Sequence, residues 1–327
     1  MNGILGTRCL VTGGAGFVGS TIVDQLLNAG TSEVIVLDNF VRGTWANLAS
    51  AQGRGGVKVV TGDICDAALV DDLTAGCDFV FHQAALRITR CAEAPREAVD
   101  VLINGTLNVL ESAVRHKVRK VVAASSASVY GDPSYLPMDE SHPFNNRTLY
   151  GAGKIACEQM LRAYYTTYGL PYVAFRYFNV YGPRMDMVGV YTEVLIRWLD
   201  AIEAEQPPLI FGDGKQSMDF VFVGDVARAN VLAAQSDVTD EVFNVGTGTQ
   251  TSLNQLCDLL LALTNSSVRP EYREARKVAN VQARRAAIEK ASRFLGFRAS
   301  MSLQDGLQEL IRWRRSAKAV LAGVEAV

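Results

Sequence analysis

Val11-Thr12-Gly13-Gly14-Ala15-Gly16-Phe17-Val18-Gly19-Ser20 lies between an apolar run, Cys9 to Val11, and a helix-like pattern that begins at Phe17. Two glycine frames overlap in it. Gly14, Gly16 and Gly19 satisfy G-x-G-x-x-G, while Gly13, Gly16 and Gly19 recur at even intervals. Either frame serves the same physics: the early glycines allow a tight turn and let bare backbone approach a pyrophosphate, and Gly19 lets the helix lie close on the strand. Free N–H groups at the helix start, around Gly16, Phe17 and Val18, attract the anion. A turn of this kind can also be purely structural, so a second feature has to support it.

That feature lies in the next strand. Val34 to Leu37 reads as a buried parallel strand ending at Asp38, followed by Asn39, at the distance from Gly19 where a ribose-binding acid belongs. The Asp38 carboxylate can accept hydrogen bonds from ribose hydroxyls and would repel a 2′-phosphate, which points to NAD over NADP. Arg42 nearby is the one residue that argues the other way.

The chain has 327 residues, room for one large domain or two modest ones. Its 32 basic and 34 acidic residues leave a formal charge of −2, so no global basic field suggests nucleic acid. Six cysteines (Cys9, Cys65, Cys77, Cys91, Cys157 and Cys257) form no C-x-x-C pair or zinc-like set, and read as buried thiols in a reducing compartment. No metal site is expected. The opening residues run straight into the first strand and no apolar run approaches about 18 residues, so a soluble cytoplasmic protein without a membrane span is expected.

Strand-like and helix-like segments alternate through the first half. Thr21 to Asn28 reads as a helix stopped by Gly30, Val57 to Val60 as a third strand, Asp66 to Leu73 as a short helix and Phe79 to His82 as a fourth strand. A long helix is expected from Pro95 to Val114, a fifth strand over Val118 to Ala124, a helix over Gly151 to Tyr168 and a sixth strand over Tyr172 to Arg176. Nearly continuous apolar strands joined by helical crossovers describe an α/β, Rossmann-type doubly wound parallel sheet. Residues 1–182 are assigned to this cofactor domain, with a return of the chain around 219–246. Residues 183–327 are assigned mainly to a smaller mixed substrate domain, with helical runs near Thr192 to Ala204, Val226 to Gln235, Leu253 to Leu263 and Leu303 to Arg315.

The chemistry is expected where the fifth strand ends. Ser125, Ser126 and Ser128 place hydroxyls at the carboxyl end of a parallel strand, where ligands bind in such sheets. Tyr150 and Lys154 stand four apart, on one face of a helix. A lysine ammonium and a positive nicotinamide ring would favour the phenolate and suit Tyr150 to act as a base. An ordinary exposed helix pair has the same spacing, so the pair gains meaning only from the other motifs.

Taken together, TGGAGFVGS, Asp38, SSASVYG, YGAGK and RYFNVYGPR resemble the extended short-chain dehydrogenase/reductase family, particularly its nucleotide-sugar epimerases. The likeness continues through GDGKQSMDFVFVGDVA and FNVGTGTQTS and thins after Val268. It implies catalytic Ser126, Tyr150 and Lys154: Ser126 hydrogen-bonds the reacting hydroxyl, Tyr150 is the base and Lys154 holds the nicotinamide ribose. It further implies cofactor contacts at Asp63, Ile64, Ala84, Ala85 and Tyr177, Asn104 near the active site, and substrate contacts at Ser128 and Asn179. His82 and Tyr130 read as packed residues. The implied reaction is NAD-dependent epimerisation at C4 of a nucleotide sugar (a UDP-hexose, UDP-N-acetylhexosamine or UDP-hexuronic acid), and the implied assembly is a homodimer built on the two long helices.

Two departures stand out. Met218 occupies a position where relatives carry an arginine for the nucleotide diphosphate, and Lys277-Val278-Ala279-Asn280 replaces Arg-x-Gly-Asp. Arg184, Lys215, Arg276, Arg284 and Arg285 are the basic residues that can supply the charge instead. A dehydratase or decarboxylase of the same family shares the first oxidation, and a non-catalytic NAD-binding regulator shares the fold. Ser126, Tyr150 and Lys154 argue against the regulator. Ala127 and Ser128, where water-eliminating relatives carry acids, argue against the dehydratase.

Overall fold

The computed structural model describes residues 3–187, 194–275 and 281–324. Arg276 and Lys277 to Asn280 lie outside the described residues, as does the beginning of the helical run expected from Thr192. Strands β1 (Arg8–Thr12), β2 (Glu33–Asp38), β3 (Val57–Thr61), β4 (Phe79–His82), β5 (Lys120–Ser126) and β6 (Tyr172–Tyr177) fall on the six expected runs. They are followed by the short strands β7 (Asn179–Tyr181), β8 (Leu209–Phe211), β9 (Ser217–Met218) and β10 (Phe220–Phe222), and by β11 (Glu241–Val245). The main sheet has seven parallel strands, not six, in the order β11-β6-β5-β4-β1-β2-β3.

Alternation along each strand explains why both faces are buried. Cys9, Val11, Val34, Val36, Phe79 and Phe81 enter one apolar core with Ile22 and Leu26 of helix α1 (Phe17–Asn28) and Val226 of the helix Val223–Gln235. The intervening Leu10, Ile35, Leu37, Val80 and Val121 enter the opposite core with Val109, Leu110 and Leu161. Each fully buried Leu or Phe contributes roughly 1.5–3 kcal/mol, so the two cores fix the register of the sheet. Strand order reverses direction between β1 and β4, and a crevice opens there at the carboxyl ends.

The helix expected from Pro95 to Val114 is built in three pieces, Pro95–Val99, a π-helical segment Asp100–Gly105, and Thr106–Arg115. A side chain at Gly105 would meet Ile64 Cδ1 at 2.6 Å, so this glycine allows the helix to approach the loop after β3. Beyond β7 the helices Val194–Glu203, Leu253–Thr264 and Leu303–Val324 share a third core around Trp198, Leu256 and Leu310, flanked by two-stranded pairs of β8 with Glu271–Arg273 and β9 with Thr251–Ser252. The α/β class, with a parallel sheet and small C-terminal sheets, is as expected. The cysteine expectation needs one correction: all six are free thiols, but Cys65, in the loop after β3, is exposed. Among the described residues no helix is long and apolar enough to cross a membrane.

Candidate active site

The carboxyl ends of the central strands open on one cavity of about 1610 Å³. Ordinary small-molecule sites occupy roughly 300–1,000 Å³, so this one has room for a dinucleotide and a second ligand. Of the two glycine frames, Gly13, Gly16 and Gly19 line the cavity. Gly13 takes φ +66, and a side chain there would strike Ala84 N at 2.7 Å. At Gly19 a Cβ would fall 2.1 Å from Gly13 O. Gly14 instead backs onto Val36, 2.9 Å from where its Cβ would stand. Helix α1 begins with Gly16 as N-cap, with no side-chain cap and no acid in the first turn, so its leading N–H groups face the cavity as an anion cradle.

Asp38 ends β2 with Oδ2 accepting Ala15 N and Oδ1 accepting Phe40 N, both at 2.9 Å. Burial raises its carboxyl above the usual range, against these N–H bonds. Both oxygens keep a lone pair for ribose hydroxyls. Asn39 Nδ2 donates to Asp63 Oδ2 at 2.8 Å, clamping the loops after β2 and β3 together. Partial burial would raise the Asp63 carboxyl, but bonds from Cys65 and Asn39 outweigh it and hold the group low. Phe17, Val18, Ile64, Ala84 and Ala85 complete this side of the lining. A pyrophosphate cradle and a ribose acceptor at this spacing fit NAD.

At the other side Ser126, Ser128, Tyr150, Lys154, Tyr177, Asn179 and Asn104 line the same cavity. The β5–β6 register sets Ser126 beside Tyr177. Ser126 Oγ accepts from Ser128 N and donates to Ser128 Oγ, each at 3.1 Å, so the strand end turns sharply and the two hydroxyls meet. Tyr150 stands in the first turn of the helix Leu149–Tyr168, whose start is capped by Thr148 Oγ1 accepting from Gly151 N at 3.1 Å. One turn later, Lys154 is buried and donates from Nζ to Ala124 O at 2.7 Å, with Nζ 5.9 Å from the Tyr150 ring centre. One turn further, Glu158 forms a bidentate pair with Arg176 at 2.7 and 2.9 Å and accepts from Ser125 Oγ at 2.5 Å. This buried pair ties the helix to β5 and β6 beneath the hydroxyls. Tyr130 donates to Asn244 Oδ1 at 2.6 Å within the core and does not line the cavity.

The remaining substrate candidates divide. Arg184 lines the cavity, with Nη2 2.5 Å from Asp24 Oδ2 and a buried Nη1 that has no hydrogen-bond partner among the described residues. Lys215 is a correction: it stands on the turn between β8 and β9, its side chain 83% exposed and loosely paired with Asp213, and it does not line the cavity. Met218 does line it. Sequence reading missed a hydrogen-bonded ring behind Tyr177, in which Asn230 Nδ2 donates to Tyr177 Oη at 2.8 Å, Tyr177 Oη lies 3.1 Å from Gln83 Oε1, and Gln83 Nε2 donates to Asn230 Oδ1 at 3.3 Å. The position of Gln83, just past the end of β4, was the only signal for it. Arg87, bonded to Asp186 at 2.7 Å, was also missed.

His82 lies beneath the site, with Nδ1 2.8 Å from Thr12 Oγ1 and Nε2 3.0 Å from Thr106 Oγ1. Burial, reinforced by the Lys154 charge, pushes its pKa down to about 3. The unfolded chain takes up this proton near pH 6.5 and the folded protein does not, so stability falls as pH drops from about 6.5 to 3, by at most about 1.4 kcal/mol per unit. Above that window His82 contributes nothing to the pH dependence. Thermal melting from pH 7 to 4 is expected to show a shallower decline for His82→Gln than for the parent; identical slopes would refute the assignment.

The fold and the cavity together define a dinucleotide-binding α/β protein with space for a second ligand against the strand ends. The chain belongs to the NAD dependent epimerase/dehydratase family, a model of which matches residues 9–246, and its cofactor is NAD. It is 36% identical to the UDP-glucose 4-epimerase of Mycolicibacterium smegmatis over 312 residues, covering 94% of this chain and 99% of that one. It is 32% identical to the UDP-N-acetyl-alpha-D-glucosaminuronate decarboxylase of Bacillus cytotoxicus over 323 residues, covering 94% and 98%. In structure it is similar to the UDP-N-acetylglucosamine 4-epimerase of Methanobrevibacter ruminantium M1, solved with UDP-N-acetylmuramic acid, with a TM-score of 0.91, 32% identity, and coverage of 96% and 99%. The chain is therefore an enzyme of a family that modifies nucleotide sugars.

Proposed function

We propose that the protein inverts C4 of a UDP-sugar through a transient 4-keto sugar, with residues 1–182 and 219–246 serving mainly the cofactor and the rest mainly the substrate. The observation that carries this reading is the convergence of Ser126, Tyr150 and Lys154 on one wall of the cavity, without an acid at Ala127 or Ser128. Bound NAD supplies a reversible two-electron oxidation at C4. Tyr150 takes the proton of the C4 hydroxyl, Ser126 hydrogen-bonds the same oxygen, and Lys154, anchored on Ala124 O, holds the nicotinamide ribose. The ring around Tyr177 steadies the nicotinamide side. Arg184, which lines the cavity, is the basic residue assigned to the diphosphate.

Elimination of water would require a proton to leave C5 and another to reach the departing C6 oxygen. Ala127 has no ionisable group and Ser128 is a poor acid, so neither serves. Dehydration and decarboxylation remain the second reading, because a decarboxylase matches the chain at similar identity. NMR of UDP-sugars incubated with the protein tests the choice. The expected product is the C4 epimer, and a 4-keto-6-deoxy sugar or a pentose would replace this reading with the second.

A further inference from the structure

Arg284 lines the cavity, yet its Nε is buried without a hydrogen-bond partner among the described residues, and no carboxylate there forms an ion pair with it. Burial works against its charge, and Asp132 and Tyr150 act in its favour. The nearby buried carboxylate of Asp219 cannot help, because it is taken up by the N–H groups of Thr247, Gly248 and Ala286. The other cavity arginines have acids: Arg184 is paired with Asp24, and Arg42 and Arg87 with Asp186.

The backbone around Arg284 is held on both sides. Arg284 N donates to Ser217 O at 2.9 Å, which sets it beside Met218, and Met138 N donates to Arg285 O at 2.8 Å. Two residues on, Ala286 is buried in a cluster with Phe178 and with Ala127 and Val129 of the turn that immediately follows Ser126. Arg284 is therefore carried in the cavity lining beside Met218 and near enough to Tyr150, the group that takes the C4 proton in the proposed reaction, for the phenol to favour its charge. The substituent next to C4 is the one on C5. A planar guanidinium with no ion-pair partner among the described residues matches a carboxylate through two parallel hydrogen bonds, which a neutral hydroxymethyl group cannot supply.

We propose that Arg284 selects the substrate by binding a carboxylate on C5 of the sugar, so that the preferred substrate is a nucleotide hexuronic acid. The inference rests on the epimerase reading above and narrows it. The test compares kcat/KM for UDP-glucuronate and UDP-galacturonate with that for UDP-glucose and UDP-galactose, in the parent and in Arg284→Gln, together with calorimetric titration of UDP. The parent is expected to favour the hexuronates at least about tenfold. In the variant that preference falls about ten- to hundredfold, the scale of one charged hydrogen-bonded contact, while UDP affinity changes far less. A parent that favours the neutral hexoses overturns the proposal, and this holds whether or not the variant folds. A variant that weakens UDP and all four sugars equally also overturns it, and assigns Arg284 to the diphosphate. Turnover of hexoses alone leaves the epimerase reading intact, whereas turnover of none of the four overturns the hexuronate proposal and leaves the UDP-N-acetylhexosamines as the substrates by which the epimerase reading is judged.

Discussion

Tyr150→Phe is expected to lower turnover at least about a hundredfold while the protein retains its NAD. General-base removal costs roughly two to four powers of ten, and the substitution deletes only the hydroxyl. The surroundings predict that little else moves. Thr148 caps the helix independently of Tyr150, Lys154 is anchored on Ala124 O, and Glu158 pairs with Arg176 one turn further. Activity is read by epimer formation and cofactor content by release of NAD on denaturation. Near-parent turnover would show that another group takes the proton, and loss of NAD would show that the phenol is needed for binding.

Gly19→Ala is expected to abolish stable NAD binding, with a rise in the dissociation constant of at least about a hundredfold. A Cβ there stands 2.1 Å from Gly13 O and 2.9 Å from Gly14 Cα, and both obstacles are backbone. The first turn of helix α1 must move off the β1 turn, which spreads the N–H groups that form the anion cradle. Overpacking of this kind costs about 1–3 kcal/mol in stability, so the sheet should survive. Gly53→Ala is the control. Gly53 lies in the exposed helix Trp45–Arg54 with nothing within 4 Å of its would-be Cβ, and alanine there should leave NAD binding unchanged and add about 0.5–1 kcal/mol. Calorimetric titration and melting of both variants give the comparison; equal affinities would contradict the close approach at Gly19.

The cofactor half was legible because its signals are local. A glycine turn that only bare backbone can make, followed by a strand ending in an acid, specifies β1, α1 and β2 within Arg8 to Asp38. β11 was not read as a strand because Glu241-Val242-Phe243-Asn244-Val245 is short and carries Asn244. That side chain is satisfied only in the folded protein, by Tyr130 Oη and Met138 O. The helix Trp45–Arg54 escaped notice because only Leu48 and Ala51 of it are buried. On the substrate side, a basic residue's place in the sequence does not tell whether it faces the cavity. Lys215 lies three residues before Met218, but the turn through Gly214, at φ +70, leaves it facing solvent. Arg284 comes to the site through bridges of its neighbours Ala283 to Ser217 and Ala286 to Met138, contacts between distant segments that no local pattern encodes.

The most direct test of the central claim follows a deuterium placed at C4 of the UDP-sugar. If the proposed reaction is right, the label is recovered at C4 of the product, in the opposite configuration, with no exchange into solvent. Deuterium found at C6, or a product that has lost water or carbon dioxide, would contradict it.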